Sequence, residues 1–279
     1  MSLGIVLIIL AAAMLHATWN AIVKTAGDRT LTLGIVAFGH TVPGAIMVAI
    51  FPLPSTEAFF YIGLSTIIHF GYFYMLGQAY RHGDLSVVYP IARGIVPALV
   101  SLWALIFLGE VLPMQAWVGI GLIAFGIQMS SWSALKQGVG KAALGFAVAT
   151  GVCISAYSLV DGVGVRLSGN TLSYWAWGAF LHLFIVASVG LRRRADLGGI
   201  PAKTWALGMV GGMVSMTAYG LVLYAKNFAP LGAVSALRET SVIFAALIGF
   251  FLLGEGNWFR RLLAACLMAV GVALIGLAV

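Results

Sequence analysis

Arginine stands at 93 and again at 238, each inside an otherwise apolar stretch, and a glutamate follows the second at 239. A charge at the centre of a membrane helix costs roughly 3 kcal/mol or more, so such residues require a polar interior, a partner or a bound solute. Arg238 and Glu239 are sequence neighbours, and neighbouring positions on a helix point about 100° apart, which keeps them from satisfying each other through a short contact. A guanidinium can hold a carboxylate through two parallel hydrogen bonds, and a carboxylate can hold an amine. The chemistry suggested is recognition of a small charged solute. An ion pair across helices, Arg93 with Glu239, is the structural alternative.

Further polar and aromatic residues recur at helical spacing. His16, Trp19, Asn20 and Lys24 form one stripe, and His69, Tyr72, Phe73, Leu76 and Tyr80 form a second. Tyr157 with Asp161, and Tyr219 with Tyr224, add two more, and Tyr89 precedes Pro90 close to Arg93. One histidine in a bundle is ordinarily a packed side chain. Several stripes on different helices must instead converge, because lipid offers them no partners. Trp175 and Trp177 lie near the start of an apolar segment that also holds His182, and they read as an interfacial belt. No zinc-protease, serine-hydrolase or phosphate-loop signature occurs, so neither hydrolysis nor an ATP-driven step has a foothold. No cofactor or metal is implied. An intramembrane enzyme using His16, His69 or Asp161 remains the alternative from another class, and a structural or assembly protein is a third.

The elements that hold these residues are membrane helices. Hydrophobic residues make up 62% of the 279 and charged residues 8%, a balance that belongs to an integral membrane protein. About 20 apolar residues are needed per span, and ten such segments can be drawn: 3–23, 31–53, 58–80, 86–108, 114–134, 142–160, 171–191, 205–225, 231–253 and 259–278. The first run lacks a basic residue ahead of it and is expected to remain as a helix rather than to be cleaved. Cys153 and Cys266 fall in mid-span, where a buried apolar role is expected and a disulfide is not. Pro90 and Pro97 flank Arg93 and should bend or break the fourth span, leaving carbonyls at Ser86 and Arg93 without amide partners.

Leu108-Gly109-Glu110 returns as Leu253-Gly254-Glu255, and the same shift of 145 carries Tyr74 to Tyr219, Arg93 to Arg238 and Gly126 to Gly271. The chain therefore reads as a first five-helix repeat, 1–136, and a second, 141–279. An odd number of crossings per copy places the second upside down relative to the first, an arrangement used by small-solute transporters. At each corner, glycine is expected to end a helix left-handed and glutamate to sit near the N-terminus of the next. Gly119, Gly121 and Gly126, like Gly208 and Gly212, should let helices approach closely.

The duplicated Leu-Gly-Glu corner, the glycine-bearing helix that follows it and Trp19-Asn20 resemble the drug/metabolite transporter superfamily, in particular its ten-helix EamA-type members. The resemblance spans the chain. It implies an all-α membrane protein with ten helices in two inverted five-helix repeats around a central cavity, working by alternating access. It also implies export or facilitated movement of small metabolites, with the amino-acid exporters, aromatic ones included, as the nearest-looking branch. Other metabolites or drugs are alternative cargo. The cavity candidates are His16, Trp19, Asn20, His69, Tyr72, Phe73, Tyr89, Arg93, Tyr157, Tyr219, Arg238 and Glu239, with aromatic walls for an apolar side chain and the charged groups for a carboxylate and an amine.

The net charge of +7 is dispersed over short loops, which argues against nucleic acid as a partner and reports orientation instead. One side carries Lys24, Arg29, Arg81, Lys136, Lys141, Arg192, Arg193, Arg194, Lys203, Arg260 and Arg261, and the other only Arg166 and Lys226. The expectation is a multi-pass protein of a bacterial inner membrane with both termini outside, whereas many relatives keep theirs inside. Substrate and lipid are the expected partners, and the sequence does not address oligomeric state.

Overall fold

The computed structural model describes residues 1–24, 28–83, 85–130, 140–253 and 258–279, and among these every regular element is helical. In chain order the α-helices are α1 Leu3–Lys24, α2 Arg29–Ile50, α3 Thr56–His82, α4 Leu85–Gly94, α5 Val96–Leu108, α6 Met114–Ser130 and α7 Lys141–Leu167. They continue as α8 Thr171–Phe180, α9 Leu183–Arg192, α10 Ala202–Ala225, α11 Leu231–Arg238, α12 Ser241–Leu253 and α13 Trp258–Ala278. Among the described residues seven segments are long and apolar enough to cross a membrane, and Met114–Met129 and Leu262–Ala278 are shorter apolar helices. The remaining expected span, 231–253, is divided between α11 and α12. A helix satisfies its own backbone in lipid, which is why sequences this apolar fold this way.

Polarity is turned inward. Leu3, Ile46, Phe60, Ile67, Phe107 and Leu277 are exposed on the outside of the bundle, whereas Arg93, Thr150, Asp161, Lys226, Arg238 and Glu239 are buried. Cys266 is exposed among the apolar residues, Cys153 is half-buried, and both are free thiols.

Helix bounds repeat with the sequence shift. Moving Val96–Leu108 by 145 gives the bounds of Ser241–Leu253. Contacts between α6 and α13 are reciprocal under the same shift. A side chain at Gly119 would strike the carbonyl of Gly271, the counterpart of Gly126, and one at Gly126 would crowd the carbonyl of Ala264, the counterpart of Gly119. Such self-complementary pairing is what a two-fold relation produces. Gly39 and Gly212 allow α2 and α10 an equally close crossing, each leaving space that a Cβ would fill with the other helix's backbone.

Three spans are interrupted. Pro90 is accommodated within α4, whose Pro90 carbonyl accepts from the Gln128 side chain at 3.0 Å, and the break falls at Ile95, just ahead of Pro97. Between α8 and α9, His182 Nδ1 takes the Gly178 carbonyl at 3.0 Å, and the His182 amide turns to Ala179 instead. Between α11 and α12 the amides of Glu239 and Thr240 bond three residues back, to Ala236 and Leu237, tightening the turn without proline or glycine.

Gly109 ends α5 in the left-handed conformation (φ 67°), with the Glu110 amide returning to Ala104. Glu110 does not serve the helix that follows. Its Oε2 accepts from the Leu231 amide at 2.8 Å, capping α11, and its Oε1 pairs with Arg166 at 2.5 Å. Arg166 also donates to the carbonyls of Lys226 and Ala229. The second corner, Gly254-Glu255, lies outside the described residues, as do Lys136 and the start of the loop beyond it.

Candidate functional site

A cavity of about 950 Å³ lies between the helices, within the size range of small-molecule sites. Eleven of the twelve candidates line it: His16, Trp19, Asn20, His69, Tyr72, Phe73, Tyr89, Arg93, Tyr157, Tyr219 and Arg238. Glu239 is the exception. It is 1% exposed behind the wall, where its Oε2 lies 2.8 Å from Arg93 Nε. The ion pair across helices therefore describes Glu239, and an amine-binding role does not. The aspartate that reaches the cavity is Asp161, which accepts from Tyr174 Oη at 2.8 Å and from Tyr219 Oη.

The interrupted helices bring the cationic groups to the wall. Arg93 lies in the last turn of α4 and its guanidinium is 5.9 Å from the Tyr89 ring centroid; Arg238 ends α11 and stands 5.7 Å from the Tyr219 ring. The Arg93–Glu239 contact is an ion pair without hydrogen-bond alignment, and among the described residues buried Arg93 Nη2 has no hydrogen-bond partner. Ser241 Oγ, on the same wall, is likewise buried and unpartnered. Leaving such donors unmet costs about 1–3 kcal/mol each, more for a charge, and a bound acceptor would recover it.

His16 belongs to this end of the cavity. Trp19 Nε1 donates to His16 Nδ1 at 3.1 Å, so the neutral ring carries its proton on Nε2. Asn20 donates to the His16 carbonyl at 2.7 Å, holding this face of α1. Lys24 and Tyr80, the outer members of the two stripes, have side chains outside the described set.

Aromatic rings line the remainder. Tyr157 stacks on His69 at 4.0 Å, Tyr72 meets Phe73 and Tyr157 edge-on, and Tyr157 faces Tyr219 at 6.4 Å. Tyr224 is not among them; it is 43% exposed and packs on Phe228. The belt assigned to Trp175 and Trp177 divides: Trp175 faces the cavity, while Trp177 packs on Phe59 and Phe180. His182 also lines the cavity, beside His40. His40 was missed because no second polar residue stands three or four positions from it on α2, and His182 because adjacent tryptophans imitate an interface.

Lining residues extend toward both faces of the bundle, with Ile62, Tyr174, Trp175 and Leu223 toward the face opposite the basic loops. On α1, α3 and α12 they run to Val23, Gly83 and Ile248, at the face that carries the basic loops. At the opposite face the Glu110–Arg166 pair closes over Lys226, whose Nζ is buried on the Ser158 carbonyl at 2.9 Å.

Residues 141–277 match the EamA-like transporter family. A solved structure described only as "Crystal structure of protein" is similar in fold, with a TM-score of 0.76 over 99% of this chain and 99% of that chain at 17% identity. No curated protein matches the chain.

Proposed function

We propose that the protein is an alternating-access transporter of the inner membrane for small amphipathic metabolites that carry a carboxylate, amino acids above all and aromatic ones among them. The observation that carries this reading is the unpartnered donor set at one end of the cavity: Arg93 Nη2 and Ser241 Oγ, with Arg238 beside them. A carboxylate supplies acceptors of the required number and charge. Tyr72, Phe73, Tyr89, Tyr157 and Trp19 offer an apolar side chain the rest of the space. In this reading the halves 1–136 and 141–279 are inverted repeats that rock about the cavity, supported by the shared helix bounds and the reciprocal α6–α13 contacts. Basic loops favour a cytoplasmic position for their face and outward termini. Export or facilitated movement of the solute is the transport this reading assigns.

Counterflow into proteoliposomes with a panel of labelled amino acids tests this. Saturable, trans-stimulated uptake of at least one aromatic or branched apolar amino acid is expected. Absence of counterflow for the whole panel, with correctly inserted protein, would overturn the substrate class.

A further inference from the structure

Away from the arginines, the cavity gathers three histidines from three elements. His40 on α2 lies 4.6 Å from His182 between ring centroids, and His182 lies 6.0 Å from His69 on α3. Their hydrogen bonds fix which nitrogen is free. His69 Nδ1 is 2.8 Å from the Ser65 carbonyl and His182 Nδ1 is 3.0 Å from the Gly178 carbonyl. A carbonyl only accepts, so both Nδ1 atoms carry hydrogen and both neutral rings keep a bare Nε2 lone pair. His40 Nε2 is buried with no hydrogen-bond partner among the described residues. Three imidazoles with this much unused nitrogen, on a cavity wall, are otherwise unexplained.

We propose that His40, His69 and His182 form the proton-binding site through which transport is coupled to a proton gradient. The proposal rests on the transporter reading above. A proton entering through the cavity adds to one Nε2 lone pair and leaves from the same atom when the cavity faces the other side; no other bond changes. Rings this close hold one proton between them, because a second positive charge would be repelled by the first. Groups facing the cluster set its balance. Asp161 from α7 supplies negative charge, Arg238 from α11 and Lys226 after α10 supply positive charge, and Tyr157, Tyr174 and Tyr219 complete the titratable surroundings. His16 stands apart, within the field of Arg93 and Arg238. The histidines are distinct residues from the carboxylate donors Arg93 and Ser241, Arg238 acts on both groups, and Glu239 is withdrawn from coupling by its pairing with Arg93. A protonated cluster adds positive charge to the cavity, which alters its affinity for an anionic group and links the two ligands.

The test needs no substrate. Proteoliposomes on a solid-supported membrane are given pH jumps across the range in which histidine titrates, roughly pH 5 to 8. Wild type should give a transient charge displacement, and His82→Gln, an exposed histidine outside the cavity, should retain it. The double variant His40→Gln with His182→Gln should fall to the level of empty liposomes. Persistence of the current in the double variant, or its absence from wild type, would overturn the proposal. Should the double variant not be monodisperse, His40→Gln alone removes no native hydrogen bond at Nε2 and must still move the titration midpoint; an unmoved midpoint counts against the site. Amino-acid counterflow without a histidine-dependent current defeats this inference alone. The current without counterflow defeats the substrate reading alone.

Discussion

At the scale of single residues, Arg93, Glu239 and Arg238 divide into a fixed pair and an available cation. Glu239 holds Arg93 from behind the wall, so Glu239→Ala leaves a buried guanidinium uncompensated and should cost about 3–5 kcal/mol. Thermal unfolding in detergent checks this, and a variant as stable as wild type would show that the pair is not structural. Among the described residues Arg238 has no salt bridge, and its ring contact with Tyr219 leaves the guanidinium on the cavity wall. Arg238→Gln should preserve monodispersity and abolish counterflow. These assignments were partly legible. Helical spacing and the cost of charge in lipid pointed to His16, Trp19, Tyr72, Arg93 and Arg238, all of which reach the cavity. Spacing cannot say which side of the wall an acid faces, and Glu239 turns away because the tightened 239–240 turn and Arg93 take it there.

At the scale of elements, two contacts tie helix ends across the molecule. Glu110 caps α11 and grips Arg166, so Glu110→Ala strips the Leu231 amide and Arg166 Nη1 of their carboxylate acceptor. A loss of about 1–3 kcal/mol is expected, together with faster labelling of a cysteine placed at Asn227, because the closure at that face loosens. Unchanged stability and labelling would remove Glu110 from the closure. Asp28 caps α2 through the amides of Thr30 and Leu31 and pairs with Arg193 at 2.7 Å. The Leu31 amide first, and the Arg193 guanidinium second, hold its carboxyl below the usual carboxylate range. A depressed folded pKa stabilises the fold fully above the unfolded value, about 3.9, and that stabilisation fades as pH falls through the folded value. Asp28→Asn keeps the cap but should flatten the acid limb of melting temperature against pH. The glycine stop at 109 was readable because only a left-handed residue closes that turn, whereas the partners of Glu110 lie 56 and 121 residues away, beyond any local signal.

At the scale of the whole molecule, the ten-segment count and the shift of 145 were available from hydropathy and repetition. The third break, within 231–253, was not, since it is made by hydrogen bonds and a buried ion pair rather than by proline or glycine. If the basic face is cytoplasmic, a cysteine replacing Arg193 should resist impermeant thiol reagents in intact cells and react in inverted vesicles; the reverse pattern would invert the assigned orientation. The central claim is that the cavity exchanges solutes through a carboxylate held by the arginine end. Counterflow driven by an amino acid, compared with counterflow driven by its carboxamide, measures this directly. The carboxylate should drive exchange in wild type, the carboxamide should not, and Arg238→Gln should lose the difference. Equal exchange by both forms, unaffected by Arg238→Gln, would contradict it.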